Sequence, residues 1–411
     1  MSKSELKKAL TVRANENVVG IRPPAFKVYR ELQDGTLQIP RFFDSGDTKR
    51  FHRGQVCDIR FEGVLRPHQK EALKNFKGNG ILCLPCGAGK TATSLAIASK
   101  MKRKTIIIVH KEFLANQWRE RIAQFCPKST VGLIQGDTWD IDGHHFVISM
   151  IQTLCSRDHE QDAFKMFGLI IVDEAHHIGA PAFSKTMFKI SSEFTLGLTA
   201  TPDRKDGLTR VLYWFLGNIF YSSEQITSEL EVKKLDFVHE SFRSAPPMNK
   251  FGKISLAHIV NHLVDIKERN DMILSSIRDA IQRKRNILVL SDRRSHCEFI
   301  HEQLGSDVSG LYMGGMNPQQ HEEASKKQVV IATFSLAYEG LDIPCLNTLF
   351  LVTPHSDVKQ AVGRITRTHG SKEVFDVVDH WCVLPNMFNK RKRNVYEPPK
   401  KEEPVGCLFS E

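Results

Sequence analysis

Leu84-Pro85-Cys86-Gly87-Ala88-Gly89-Lys90-Thr91 decides the fold. The apolar run Gly80-Ile81-Leu82-Cys83 before it reads as a short buried strand, and Ala92 to Ala98 after it reads as a helix with an apolar face. A strand, a glycine-bearing loop ending in Gly-Lys-Thr, and a helix form a phosphate cradle. The glycines let backbone N–H groups turn inward, and the helix N-terminus adds its positive dipole end. Pro85, Cys86, Gly87, Ala88 and Gly89 supply the cradle, Lys90 reaches the β/γ-phosphates, and Thr91 offers its hydroxyl to Mg²⁺. The usual spacing has a glycine where this chain has Leu84, so a chance glycine turn is the competing reading.

The 411 residues favour two domains with extensions. A hydrophobic share of 41% and a charged share of 25% are ordinary for a globular chain. The formal net charge of +10 favours a polyanionic partner such as nucleic acid. No apolar run is long enough for a membrane span, and the N-terminus lacks a secretory apolar core. Nine scattered cysteines, an odd number, point to reduced thiols and an intracellular protein, not a secreted one. Cys83 and Cys86 have no second pair at zinc spacing, which makes them packing residues rather than ligands.

Residues 1–61 read as an accessory segment with short strands and a hairpin turning at Asp34-Gly35. Its basic residues suit either an accessory nucleic-acid contact or a solvated appendage. Gln69 lies one helix upstream of the loop, where its amide could read an adenine by donating and accepting at once. Strands follow at 104–109, 146–150, 169–172 and 194–198, with a helix over 112–125 that contains Gln117-Trp118. The strand Leu169-Ile170-Ile171-Val172 delivers Asp173 and Glu174 at its end. Asp173 would hold Mg²⁺, and Glu174 would take the proton of the attacking water. Thr199 and Thr201, after the next strand, could hydrogen-bond that acidic motif.

Strand–helix alternation fades from Asp203 to Pro247, which reads as an inter-domain crossing with the linker at 223–247. A first α/β domain therefore covers 62–222 and a second 248–385. In the second, one helix is expected over 259–282 and another over 357–364. If the latter continues, Arg364 and Arg367 share a face. Such planar forks suit a γ-phosphate, although a solvated basic face that binds nucleic acid is the alternative. The tail from 386 onward, with Lys390-Arg391-Lys392-Arg393, reads as a disordered, solvated end.

Taken together these residues resemble a DEAH-lettered superfamily 2 helicase over about residues 62–385. Leu65-Arg66-Pro67-His68-Gln69 resembles the adenine-reading Q-type motif, Leu84 to Thr91 motif I, Asp173-Glu174-Ala175-His176 motif II, and Thr199-Ala200-Thr201 motif III. Thr333 with Glu339-Gly340-Leu341-Asp342 is similar to motif V, and Gln360 through Arg367 to motif VI. The spelling Leu-Pro-Cys-Gly-Ala-Gly-Lys and the run from Gly197 to Leu208 resemble the XPB, phage UvsW and poxvirus transcript-release branch, in a compact viral or phage-like form. Where XPB proteins carry Arg-Glu-Asp, this chain has Arg204-Lys205-Asp206.

The resemblance implies two tandem RecA-like parallel-sheet domains and hydrolysis of Mg·ATP between them. By its motifs Lys90, Glu174, Gln360, Arg364 and Arg367 are catalytic, and Arg66, Gln69 and Asp342 join the loop in binding nucleotide. His176, Thr199 and Thr201 couple nucleotide state to motion. Thr333, Arg293 and Arg294 are candidates for the nucleic-acid groove. It further implies a 3′-to-5′ DNA helicase or translocase working with transcription or replication machinery, in the cytoplasm, nucleus, viral factory or virion. An RNA helicase, and a non-catalytic nucleic-acid binder on a relic fold, are the alternatives.

Overall fold

Continuous aliphatic runs such as Thr105–Val109 and Phe146–Met150 are buried at every residue, as parallel strands covered on both faces must be. The structure is a computed structural model and describes residues 1–15, 23–43, 51–85, 87–157, 161–177, 180–200, 206–223, 230–249, 251–339, 341, 343, 345–366 and 370–397. The chain divides into two units, Met1–Gln225 and Ile226–Glu411.

The first unit opens with α1 (Lys3–Ala9), β1 (Thr11–Val12), β2 (Phe26–Lys27), β3 (Arg30–Glu31) and β4 (Leu37–Gln38). The expected hairpin is β3–β4, turning through Gly35 at φ +78°, while β2 pairs with β1 instead. Helix α1 has too short an apolar pattern to read from the sequence, and Ser2 and Glu5 form a reciprocal capping box at its start. Leu10, Val12 and Val28 are fully buried in the same apolar cluster as Phe183 and Phe215. The segment is thus packed into the first unit's core.

The order continues α2 (Pro67–Asn75), β5 (Asn79–Cys83), α3 (Lys90–Met101), β6 (Thr105–Val109), α4 (Glu112–Phe125), β7 (Val131–Gln135), β8 (Thr138–Asp140), β9 (Phe146–Met150), α5 (Ile151–Ser156), β10 (Leu169–Val172), α6 (Ala180–Met187), β11 (Phe194–Thr199), α7 (Thr209–Leu216) and β12 (Ile219–Ser222). These strands form an eight-stranded sheet ordered β12-β5-β11-β10-β6-β9-β7-β8, parallel except for β8. Alternate residues of one strand enter opposite cores. Ile106 and Ile108 join Val147 and Ile170, whereas Ile107 and Val109 join Leu95, Trp118 and Ile148. Strand β11 lies between β5 and β10, so the loops after these three strands open at one edge of the sheet.

The second unit contains β13 (Leu230–Phe237), α8 (Leu256–Val264), α9 (Lys267–Gln282), β14 (Ile287–Ser291), α10 (Arg294–Leu304), β15 (Ser309–Tyr312), α11 (Pro318–Ser325), β16 (Val329–Thr333), α12 (Phe334–Glu339), β17 (Thr348–Leu351), α13 (Lys359–Ile365), β18 (Lys372–Asp379) and α14 (Leu384–Arg391). Its six-stranded sheet, β13-β18-β17-β14-β16-β15, is parallel throughout. Phe350 and Phe375, in register on β17 and β18, stack at 4.3 Å.

Three expectations need correction. The stretch 203–247 is not a bare crossing, because it holds α7, β12 and β13. Strand β13 was hidden by its edge position: it carries Glu231, Lys233, Lys234 and Asp236 along its length, so it lacks an aliphatic run. The single helix expected over 259–282 is two, α8 and α9, broken at Asp265-Ile266.

The tail, expected as a disordered, solvated end, is instead built into the second unit as far as residue 397. Arg391 is buried and makes a two-pronged pair with Asp376 on β18 at 2.8 and 2.7 Å, and Tyr396 donates to the same carboxylate at 2.7 Å. A basic cluster looked like a solvated end because its partner carboxylate is remote in sequence. Removing one member of a buried pair typically costs about 3–5 kcal/mol. Arg391→Ala should therefore lower the second unit's unfolding free energy by about that amount, measured by urea denaturation, and a loss under 1 kcal/mol would show the pair to be dispensable.

Candidate functional site

The loop after β5 turns through Gly87 at φ +77° and Gly89 at φ +86°, conformations that favour glycine. A Cβ on Gly89 would lie 2.0 Å from Gln69 Nε2, so the loop closes against α2 with room for bare backbone alone. From α2, Gln69 donates to the Ala88 carbonyl at 3.1 Å and approaches that of Gly89 at 3.4 Å. Its Oε1 accepts from the Arg66 N–H at 2.8 Å, and the His68 ring meets the Ala88 carbonyl at 2.9 Å. Both ends of the Gln69 amide are therefore spent on protein backbone. In this structure Gln69 props the loop, and Arg66 is the exposed N-cap of α2.

Lys90 opens the twelve-residue α3, and its ammonium lies 3.3 Å from the Leu84 carbonyl and 3.6 Å from Glu174 Oε1. Thr91, next along, is half-buried. Asp173 and Glu174 follow β10. Asp173 is buried, and its Oδ2 accepts a 2.9 Å hydrogen bond from the Trp118 indole N–H of α4, while its Oδ1 accepts from the Glu174 backbone N–H at 2.9 Å. Glu174 sits at φ +45°, a strained conformation for a residue with a side chain, costing on the order of 1–3 kcal/mol. Burial pushes the Asp173 carboxyl up from the usual range and the adjacent Glu174 charge adds to this, against the pull of Trp118 and Lys90.

His176 Nδ1 lies 3.5 Å from Glu174 Oε2 and 2.8 Å from the Thr199 hydroxyl at the end of β11. The fold thus brings Lys90, Thr91, Asp173, Glu174, His176 and Thr199 to one edge of the first sheet. The composition fits a triphosphate and its divalent ion: a cation on a helix N-terminus faces hard oxygen donors suited to Mg²⁺. The residue missed from sequence is Trp118. The helix over 112–125 buries Trp118 with Leu114, Ala115 and Ile122, and nothing in that pattern reveals a contact 55 residues away.

Cys86, Thr201, Asp342 and Arg367 lie outside the described residues. Pro85 accepts from the Ala88 N–H at 3.2 Å, inside the loop. In the second unit, Gln360 and Arg364 sit half-buried on α13, which ends at Ile365. Thr333, at the end of β16, lies 3.2 Å from the Ser335 hydroxyl. Arg293 bonds to Asn261 Oδ1, the Ala257 carbonyl and the Asp292 carbonyl, which ties the start of α10 to α8. Arg294 is exposed and donates to the Gly314 carbonyl at 2.8 Å.

Residues 62–204 match the family described as type III restriction enzyme, res subunit, and residues 268–371 the helicase conserved C-terminal domain. The chain is 36% identical over 366 residues, 84% of its own length and 70% of the other's, to a candidate ATP-dependent RNA helicase, L396, of Acanthamoeba polyphaga mimivirus. It is 35% identical over 179 residues, 42% of its own length and 40% of the other's, to the DNA 3′-5′ translocase XPB2 of Sulfurisphaera tokodaii. Among solved structures, the helicase domain of Pyrococcus furiosus Hef superposes with a TM-score of 0.54 at 17% identity, covering 80% of this chain and 98% of that one.

Trp118→Phe keeps the buried ring and deletes the N–H that holds Asp173. A hydrogen bond to a charged group is worth roughly 1.5–3 kcal/mol, so ATP turnover should fall about 10- to 100-fold while the thermal midpoint shifts by only a few degrees. Wild-type turnover in this variant would show that the indole does no more than fill space.

Proposed function

The chain belongs to the superfamily 2 helicases and is a nucleic-acid-dependent ATPase, and on that premise we propose that it is a Mg²⁺-dependent DNA translocase or helicase moving 3′ to 5′. The observation that carries the ATPase chemistry is the Lys90–Glu174 pair at 3.6 Å, with Asp173 held by Trp118 beside it. We assign Lys90 to the β/γ-phosphates, and Thr91 and Asp173 to Mg²⁺, which supplies charge neutralisation on the phosphate oxygens when bound. Glu174, released from Lys90 once phosphates take up the ammonium, accepts a proton from the attacking water. The water oxygen bonds to the γ-phosphorus, the bond from that phosphorus to the β–γ bridging oxygen breaks, and the charge leaves on ADP. The Glu174–His176–Thr199 chain of contacts links the acid to the end of β11 and suits a role in sensing nucleotide.

Gln360, Arg364 and Arg367 are assigned to stabilising the developing charge from the second domain. An arginine finger contributes about 10³ to 10⁵ in turnover, so hydrolysis would depend on closure of the two domains. Nucleic acid bound mainly through its phosphates promotes that closure, with strong salt dependence and little sequence preference.

DNA is the preferred substrate because of the loop's Leu-Pro-Cys-Gly-Ala-Gly-Lys spelling and the partial match to a protein named as a DNA translocase. The mimivirus relative's name favours a second reading, an RNA helicase. Work in transcript release, repair or recombination, and Thr333, Arg293 and Arg294 as groove residues, belong to the proposal.

ATPase and strand-displacement assays on 3′-tailed DNA, 5′-tailed DNA and RNA separate these readings. The expected result is DNA-stimulated hydrolysis and displacement from the 3′-tailed duplex, with Lys90→Ala reduced to background on every substrate. Equal displacement from both tails would remove the polarity, and stimulation by RNA alone would make the second reading correct.

A further inference from the structure

Away from the phosphate loop, the accessory N-terminal strands and α6 enclose a cavity of about 380 Å³. Lys27, Arg30, Lys185 and Lys189 contribute four cations to its lining, and no carboxylate lines it. Phe26, Tyr29 and Phe188 contribute three aromatic rings, with the Lys27 ammonium 5.9 Å from the centre of the Tyr29 ring. The acid next in sequence, Glu31, is claimed elsewhere: Lys3 and Lys7 each reach it at 2.8 Å, and these bonds lower its carboxyl to about 2. Lys189 is committed to the carbonyls of Leu154 and Arg157. Lys27, Arg30 and Lys185 are exposed, and no ion pair among the described residues engages them. The wall is fixed in place, since Gln38 donates to the Phe188 carbonyl at 3.1 Å and Val28 is fully buried behind the strands.

From this geometry we infer that the cavity is an accessory site for single-stranded nucleic acid, holding one base against Tyr29 and Phe26 and its flanking phosphates on Lys27, Arg30 and Lys185. The volume accommodates a nucleotide unit, and clustered cations with adjacent rings are how strands are gripped without sequence preference. An acidic peptide would satisfy the cations but make no use of the half-buried Phe26 and Tyr29 rings. The choice of nucleic acid rests on the helicase reading; the cavity does not touch the nucleotide loop, so the two can fail separately.

The test is anisotropy of fluorescein-labelled oligothymidylate and oligouridylate of twenty nucleotides on the full chain across a salt series. Wild type is compared with K27E/R30E/K185E, the neutral K27Q/R30Q/K185Q, and Tyr29→Ala. Each cation on a single strand contributes about 0.7 to the slope of log affinity against log salt. The charge-reversed chain should bind at least about tenfold more weakly with a slope smaller by roughly 2, and the neutral chain should show the same change in slope. Tyr29→Ala should weaken binding several-fold at unchanged slope. Wild-type affinity and slope in both triple variants would overturn the site while leaving the helicase reading standing. Competition by polyglutamate equal to that by oligonucleotide, at matched charge, would also overturn it. Wild-type protein that neither binds oligonucleotide nor shows stimulated ATPase would overturn the helicase reading and this site together.

Discussion

Two adjacent carboxylates at the buried end of one strand are the constraint on which the first unit depends. Asp173 and Glu174 repel each other, and burial makes the ionised forms more expensive still. The fold offsets this with three specific partners: the Trp118 indole on Asp173, the Lys90 ammonium near Glu174, and the Glu174 backbone N–H turned onto Asp173. The last of these goes with a left-handed backbone at Glu174, so strain is held at the residue assigned to activate water. Trp118, Lys90 and the acids come from three different elements, and the sheet order β5-β11-β10-β6 brings the ends of their strands to one edge.

The phosphate loop shows the same dependence on remote support. Its two left-handed glycines would give a pliable turn on their own. Gln69 and His68 reach across from α2 to the carbonyls at positions 88 and 89, which pins the loop against that helix. Leu84, which breaks the standard glycine pattern, is fully buried in the core beside Leu82 and Leu198. Its side chain anchors the start of the loop, and the later glycines alone provide the turn.

The peripheral segments are parts of the core domains. The N-terminal strands contribute Leu10, Val12 and Val28 to the first unit's core, and the basic stretch after α14 contributes Arg391 to a buried pair with Asp376. In both cases a cationic stretch that composition alone assigns to solvent is held by a partner far along the chain. Charge at the surface of the first unit is distributed in the same manner: Lys3 and Lys7 neutralise Glu31, and Lys27 and Arg30 are left facing a cavity lined with rings.

By itself the sequence determined the parallel α/β class, the order of the phosphate-loop and acidic motifs, and the identities of Lys90, Asp173 and Glu174. These are local properties: an uninterrupted aliphatic run specifies a buried strand, and a glycine turn before a helix specifies an anion cradle, whatever lies around them. Helix α4 was legible to the residue, because its apolar face repeats at helical spacing. Strand β13, the break between α8 and α9, the docked tail, the spent amide of Gln69 and the indole on Asp173 were decided by tertiary structure. Each depends on contacts beyond its own element or on exposure at a sheet edge, and neither leaves a periodic trace in the chain. Hydrogen bonds and ion pairs between distant residues satisfy polar groups that would otherwise be buried unpaired, and only the folded chain specifies which groups meet.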